Sequence, residues 1–179
     1  TRNFYTINTP IETPADLRGL KIRVQQSPTN VRMMELLGGS ATPMGFGDVY
    51  TALQSQMLDG AENNELALTD NGHGDVCKYY SYTMHQMIPD ILIGNLERAI
   101  FDEGFQILNQ TQRDAWETAV EEAKNQAEQE QGVTFTYPDI VPFQEAVAPM
   151  HQEMLDNYPD LAPIYELIQE HNAANPAES

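Results

Sequence analysis

The sequence predicts an α/β fold with a largely parallel sheet. Between residues 20 and 83, a segment with strand-like alternation is twice followed by a segment with helical spacing. Glycines stand at the ends of these segments, and two helices begin with a capping residue followed by proline, at Thr13-Pro14 and Ser27-Pro28. Strands that alternate with helices favour parallel pairing, because the chain returns to the sheet through a helical crossover.

The elements of the first half each have a signal of their own. Thr13 and Asp16 have the spacing of a capping box around the first helical turn. Apolar and cationic residues alternate over 20–24, so Arg23 faces away from Ile22 in the predicted strand. In order, the predicted elements are a strand over 4–7, a helical turn from 14, a strand over 20–24, a helix from 28 to 38, an extended link over 41–45, a helix over 46–57 with Val49, Leu53 and Met57 on its apolar face, a strand over 61–64, a helix over 65–78 and an extended segment over 79–83.

The second half changes character after Met87. Gly94 interrupts a long apolar run, and Asp102 begins a short helix. Pro149 is expected to kink or divide a later helix, because proline has no N–H to donate to the preceding turn. In order, the predicted elements are a strand over 88–100, a short helix from 102, a long helix over 111–131 with a narrow stripe of small and apolar residues, a strand over 133–137, and helices over 143–157 and 162–172.

Charge restricts the partners that this chain can bind. It contains 27 Asp and Glu against 9 Lys and Arg, a formal net charge of −18, which disfavours nucleic acid and anionic lipid. Five of the nine cations lie in the first 32 residues, where only Glu12 and Asp16 oppose them. This asymmetry has two interpretations, a solvated surface or a cationic pocket for a small anion. The five cations are Arg2, Arg18, Lys21, Arg23 and Arg32.

Signatures of catalysis and metal binding are scarce. Cys77 is the only cysteine, which excludes a disulfide within the chain and a cysteine-based zinc site. The four histidines show no His-x-x-x-His pair, and the glycine-rich stretches lack the lysine of a phosphate loop. The serines lack the context of a nucleophile elbow. We therefore expect a protein without enzymatic activity, without a metal site and without a cofactor.

The candidate site consists of residues at the predicted carboxyl ends of strands, where open α/β sheets bind ligands. Arg23 offers a planar fork for a carboxylate, and Glu62 can brace that guanidinium. Asn63 can donate and accept beside it, Phe46 can cover the carbon skeleton of the ligand, and His85 completes the group.

Each candidate also has a purely structural interpretation. Arg23 at a strand end is often a solvated or structural ion-pair residue, and Phe46 before a helix is often a hydrophobic staple. Asn63 could be a turn residue, and His85 could be a core histidine whose nitrogens are satisfied. Periodicity alone leaves these interpretations open.

Four motifs in order indicate a family. The stretches Thr13–Val24, Leu37–Met44, Phe46–Gln54 and Asp59–Asn63 resemble the solute-binding proteins of TRAP transporters, of the DctP type. The resemblance continues through Lys78–His85 and Pro138–Phe143 and covers essentially the whole chain. It implies a periplasmic-binding-protein-like α/β fold of type II, in which two domains close on an organic acid.

The resemblance also implies a division of the chain into domains. Residues 1–88 and 129–179 correspond to the second, ligand-binding domain, and residues 89–128 to a segment that returns to the first domain with a long helix. The N-terminal body of the first domain has no counterpart in the chain. We therefore expect a fragment that binds its acid weakly or not at all, and that exposes the apolar stripe of the long helix or covers it by dimerising.

The family's binding residues carry over residue by residue. Arg23 matches the arginine that clamps the substrate carboxylate, Arg2 a second arginine that assists it, Asn63 the asparagine beside it and Phe46 the ring against the ligand. Gln26 corresponds to a position near the substrate. Glu62 and His85 match residues that hold the clamp arginine and couple ligand binding to domain closure. The implied substrate-binding residues are Arg2, Arg23, Gln26, Phe46, Glu62, Asn63 and His85.

The resemblance extends to substrate, partner and location. The Phe4–Thr6, Leu37–Met44 and Glu62–Asn64 stretches are most similar to members that transport a sugar acid such as glucuronate or galacturonate, with C4-dicarboxylates and sialic acid left open. The partner would be the sodium-coupled TRAP permease. The location would be periplasmic or otherwise extracytoplasmic, with the protein free or membrane-anchored. Two alternatives are an enzyme acting on a carboxylic acid, with His85 or Glu62 as acid or base, and a ligand-sensing domain of the same fold.

Overall fold

A computed structural model describes residues 1–88 and 98–174, and its centre is one six-stranded mixed sheet. The strands lie side by side in the order β3-β2-β4-β1-β5-β6. In chain order they are β1 (Arg2–Thr6), β2 (Lys21–Val24), β3 (Ser40–Pro43), β4 (Gly60–Asn63), β5 (Tyr79–Gln86) and β6 (Thr134–Thr136).

Strand direction agrees with the prediction on both sides of the sheet and differs at its centre. β2 runs parallel to β3 and β4, and β5 runs parallel to β6. β1 runs antiparallel to both of its neighbours, β4 and β5, so the expectation of a largely parallel sheet is wrong there. The partners of β1 come much later in the chain, and no tight turn or helical crossover joins them to it directly. Alternation over residues 4–7 therefore indicated the strand but not its direction.

Helices cover both faces of the sheet. Tyr5 and Tyr80 pack on one face with residues of α2, α3 and the C-terminal end of α4. Phe4 and Ile22 pack on the other face with residues of α1 and α5, since successive strand residues point to opposite sides. The helices are α1 (Pro28–Leu36), α2 (Val49–Gln54), α3 (Leu66–Thr69), α4 (Arg98–Gln129), α5 (Val141–Val147), α6 (Pro149–Asn157) and α7 (Ala162–Ala174).

Helix α4 is one continuous helix where the sequence predicted two. Its first three residues are helical and do not form the end of the strand predicted over 88–100. The part of that predicted strand over 89–97 lies outside the described residues. Gly104 and Thr111 are weak helix formers, but neither removes a backbone N–H as proline does, so the helix runs through both.

The middle of α4 exposes large apolar side chains. Ile107 is 62%, Leu108 50% and Trp116 40% exposed, whereas Ala123 and Ala127 near the C-terminal end are buried in the core. Within the apolar stripe predicted over 111–131, Trp116 is exposed but Ala123 and Ala127 are buried, so the expected exposure holds only for the N-terminal part of the stripe. That a second copy of the chain covers this apolar surface by dimerising stays a prediction.

The helix predicted over 65–78 is only one turn long in the structure. Gly72 adopts a φ of 68°, which a right-handed helix does not accommodate, and a 3-10 turn over His73–Asp75 follows it. The chain therefore bends after α3, and this bend places His73 in a buried position.

Two further expectations have different outcomes. Pro149 begins α6 directly after α5, which confirms that this proline divides the helix predicted over 143–157. Helix α2 ends at Gln54, and Met57 is 61% exposed, so the expected place of Met57 on the apolar face is wrong.

Some classes of feature are absent from the part of the chain that the structure describes. There, no helix combines the length and the apolar character needed to span a bilayer. The described residues also contain no group of three or more His, Cys, Asp and Glu side chains that could hold a metal ion. Cys77 is enclosed in the core on the Tyr5 face, where burial raises the pKa of its thiol to about 12.

Candidate functional site

The candidate residues meet at one edge of the sheet. Arg23, Glu62 and His85 lie at or near the ends of β2, β4 and β5, and Phe46 follows β3. Arg2 lies at the beginning of β1, which reaches the same edge because that strand runs in the opposite direction. The antiparallel direction of β1 thus places a second guanidinium beside the strand ends.

Arg2 is held by the end of β4. Its Nε donates to Glu62 Oε2, and its Nη2 donates to Glu62 Oε1 at 3.0 Å and to the Glu62 carbonyl oxygen at 2.8 Å. Its Nη1 donates to Asn63 Oδ1 at 3.0 Å. The Glu62 side chain is fully buried, so this ion pair is shielded from solvent. The prediction that Glu62 braces Arg23 is therefore wrong, because the direct partner of Glu62 is Arg2.

Arg23 is a buried cation whose hydrogen bonds go to a carbonyl group. Its Nε and Nη2 donate to the Met44 carbonyl oxygen at 3.0 and 2.8 Å, and the residue is only 4% exposed. No carboxylate within the described residues forms an ion pair with it. Burial lowers the pKa of Arg23, and the nearby charge of Glu62 opposes that shift. Neither structural interpretation of Arg23, a solvated cation or one side of an ion pair, describes this arrangement.

Phe46 lies against the same guanidinium. The Cζ atom of Arg23 is 5.5 Å from the centre of the Phe46 ring, within the range of a cation–π contact. The ring stays 40% exposed, so part of its surface is free to cover a ligand. The arrangement combines a charged fork with an apolar platform, as a small organic anion requires.

The charges at this edge do not cancel. Glu62 is buried, which raises its pKa, while the hydrogen bonds and the charge of Arg2 lower it. With both guanidinium groups protonated and Glu62 ionised, these three groups together carry a net charge of +1. An acidic protein therefore has two buried or half-buried guanidinium groups at this edge of its sheet, an arrangement whose charge is complementary to that of a small anion.

His85 is enclosed next to the buried ion pair. Its ring stacks on Phe4 with centroids 4.0 Å apart, and its Nδ1 is 2.8 Å from Thr83 Oγ1. Its Nε2 lies 3.9 Å from Glu62 Oε2 and has no hydrogen-bond partner among the described residues, so the interpretation as a fully satisfied core histidine is wrong. Burial, and next the charge of Arg2, lower the pKa of His85 to about 3, so the ring is neutral at physiological pH.

The remaining two candidates differ in their placement. Asn63 ends β4, and its Oδ1 accepts from Arg2 and from the backbone N–H of Asn64, while its Nδ2 donates to no residue within 1–88 or 98–174. Gln26 lies in the turn between β2 and α1, is exposed, and forms no hydrogen bond with any described residue. The structure thus brings Asn63 into the cluster, whereas Gln26 has no hydrogen bond to any of the other candidates.

Sequence reasoning missed His73, which the bend at Gly72 brings to this edge. Its ring centre is 5.5 Å from that of Phe46, and its Nδ1 is 2.7 Å from the Tyr5 hydroxyl. Burial, and next the charge of Arg23, lower the pKa of His73 to about 4. The predicted helix over 65–78 concealed this residue, because a continuous helix would not have brought it under the end of β2.

A groove of about 610 Å³ lies between α1 and α6, on the other side of His85. Its walls include Met33, Met150 and Met154, and its cation, Arg32, is paired with Glu153 at 2.6 Å. The groove therefore offers apolar surface but no free charge for an acid. The guanidinium without a carboxylate partner among the described residues, Arg23, is at the strand ends and not in this groove.

The two buried histidines predict a loss of stability on acidification. An unfolded histidine protonates below about pH 6.5, whereas His85 in the folded protein stays neutral down to about pH 3, so the free energy of unfolding falls as the pH drops through this window. At pH 5 the His85 contribution is about 2 kcal/mol. Urea unfolding of the wild type and His85→Phe at pH 7 and pH 5 measures it, and the drop in the variant should be smaller by about that amount. An equal drop in both proteins would show that His85 does not titrate in this way.

The chain matches a family model and a curated relative over most of its length. Residues 1–157 match the model of the bacterial extracellular solute-binding proteins, family 7, named DctP. The protein YiiZ of Salmonella typhimurium is 41% identical over 177 residues, which cover 94% of this chain and 54% of that protein. The chain thus spans about half the length of the curated relatives it matches.

Solved structures show the same fold. A TRAP periplasmic solute-binding protein from Anaerococcus prevotii with bound α/β-D-glucuronate has a TM-score of 0.90 and 60% identity, over 99% of this chain and 60% of that chain. One from a Sulfitobacter species with bound β-D-galacturonate has a TM-score of 0.81 and 32% identity, over 90% of this chain and 57% of that chain. These likenesses confirm the predicted α/β fold of the periplasmic-binding-protein type. The chain belongs to family 7 of the bacterial extracellular solute-binding proteins, the DctP family.

Proposed function

We propose that the chain is the carboxylate-binding part of a TRAP solute-binding protein that captures a sugar acid outside the cytoplasm and delivers it to a sodium-coupled permease. The single observation that supports this most strongly is Arg23, a buried guanidinium with no carboxylate partner among the described residues. A buried cation of this kind costs stability, and a ligand carboxylate would offset that cost. Arg2 and Asn63 would then contact the second carboxylate oxygen or a neighbouring hydroxyl.

The proposed substrate class is a hexuronate. Phe46 offers an exposed aromatic face beside Arg23, and the carbon face of a sugar ring fits against such a surface. The Anaerococcus and Sulfitobacter proteins bind glucuronate and galacturonate, and their similarity to this chain supports the same class here. C4-dicarboxylates and sialic acid share the carboxylate but not the single hexose ring, so they serve as the discriminating controls.

NMR titration of the ¹⁵N-labelled chain tests this proposal. Because the chain spans 60% of the Anaerococcus protein, a method that detects weak complexes is appropriate. D-glucuronate or D-galacturonate should shift the backbone resonances of Arg23, Phe46 and Asn63, and D-glucose, which lacks the carboxylate, should not. Equal shifts with glucose, or saturation by succinate or sialic acid at lower concentration than by either uronate, would contradict the proposed substrate class.

A further inference from the structure

His73 is a buried histidine that the proposed function does not use. It is 1% exposed, and the centre of its ring is 5.5 Å from that of Phe46. The charge of Arg23, a second residue of the site, contributes to the lowered pKa of His73. Tyr5 and Tyr50 enclose the ring from other sides, with centroids 5.6 and 6.5 Å away. The question is therefore which atom of this imidazole faces the site, and with which proton.

Tyr5 determines the tautomer. Its hydroxyl is 2.7 Å from His73 Nδ1 and has no other hydrogen-bond partner among the described residues. Burial raises the pKa of Tyr5 well above its ordinary value, so the phenol keeps its proton, and a buried hydroxyl donates where it has one acceptor. Tyr5 therefore donates to Nδ1, and the single proton of the neutral imidazole is on Nε2.

His73 Nε2 has no hydrogen-bond partner among the described residues, and it is not completely enclosed. Three polar side-chain atoms of the described residues are enclosed without a partner, namely His85 Nε2, Gln86 Oε1 and Gln131 Oε1. His73 Nε2 also has no partner within that part of the chain, yet it is not among the enclosed atoms. It therefore belongs to the 1% of the residue that is accessible, in a ring whose centre is 5.5 Å from that of Phe46.

We infer that His73 is a ligand-binding residue, whose Nε2–H donates a hydrogen bond to a hydroxyl or ring oxygen of the acid held by Arg23. Tyr5 is its positioning residue, because the Tyr5 hydroxyl holds the proton on Nε2. This inference rests on the proposed function and deepens it. Arg23 and Arg2 recognise the charge, and a neutral imidazole donor recognises an uncharged oxygen, which a sugar acid has along its ring.

Two substitutions and their combination test the inference by NMR titration with D-glucuronate. His73→Phe keeps an aromatic ring and removes the donor, and it should raise the Kd about tenfold. Tyr5→Phe removes one hydroxyl and lets the proton move to Nδ1, so it should raise the Kd about threefold. In the His73→Phe background, Tyr5→Phe should have no further effect, because its influence acts through the imidazole. Tyr50→Phe is the matched control, because Tyr50 lies beside the same ring without a hydrogen bond to it, and its Kd should stay unchanged.

The outcomes separate this inference from the proposed function. If the wild type binds succinate or sialic acid but not D-glucuronate, the proposed substrate class is overturned and the inference with it. If the wild type binds and His73→Phe binds equally well, only the inference is overturned. The ¹⁵N resonances of the His73 ring in the wild type give a second readout that needs no variant: a proton on Nε2 whose resonance moves with D-glucuronate supports the inference, and a proton on Nδ1 overturns it.

Discussion

Replacing Arg23 by methionine should abolish measurable binding of D-glucuronate, with a rise in Kd of at least about a hundredfold. Arg23 is 4% exposed, and the variant would bury the ligand carboxylate without the cation that compensates its charge. Truncating one side of a buried, hydrogen-bonded ion pair costs about 2–5 kcal/mol of binding free energy. Arg23→Lys keeps the charge but not the planar fork, so it should recover only part of the affinity.

The matched control is Arg18→Met, which removes the same charge from an exposed residue before the start of β2, at the opposite end of that strand. Its Kd should stay within twofold of the wild type. The free energy of unfolding gives a second contrast, because Arg23 has no carboxylate partner in the described structure. The free energy of unfolding of Arg23→Met should therefore lie within about 1 kcal/mol of that of the unliganded wild type. Retained binding, or a stability loss as large as that of a broken buried ion pair, would mean that Arg23 is structural.

Replacing Glu62 by leucine should reduce the free energy of unfolding by about 3–5 kcal/mol. The Glu62 side chain is fully buried and accepts from two nitrogens of Arg2, whose own side chain is only 12% exposed. The variant leaves that guanidinium buried with only the carbonyl oxygen of residue 62 and Asn63 Oδ1 as acceptors. Urea unfolding at pH 7 measures the loss.

Glu153→Gln provides the comparison, because Glu153 also pairs with an arginine, Arg32, but both side chains are more than 40% exposed. Solvent screens that pair, so its removal should leave the free energy of unfolding nearly unchanged. Similar losses for Glu62→Leu and Glu153→Gln would contradict the argument that burial of the Arg2 ion pair determines its importance.

Local pattern predicted the individual elements of this fold better than their arrangement. The alternation over 20–24 correctly separated Arg23 from Ile22, because side-chain direction in a strand depends only on neighbouring residues. The direction of β1 depends on pairing with β4 and β5, which no local pattern reveals. The same limit explains the helix expected over 65–78, where one left-handed glycine, Gly72, outweighed the helical spacing around it.

In the candidate site, too, local sequence predicts which residues take part but not which distant residues pair with one another. The rule that ligands bind at the carboxyl ends of strands predicts from the sequence alone that Arg23, Phe46 and Asn63 lie close together. The partner of Glu62 could not be chosen in this way, since two arginines were available and only the antiparallel β1 brings Arg2 into contact. His73 had no signal of its own, because its place depends on the bend after α3.

The most direct measurement of the central claim is a crystal structure of the protein with bound D-glucuronate. We expect the ligand carboxylate within about 2.7–3.1 Å of the Arg23 guanidinium nitrogens, with the sugar ring against Phe46. A structure in which the carboxylate lies elsewhere, for example in the groove between α1 and α6, while Arg23 still donates only to the Met44 carbonyl oxygen, would contradict it.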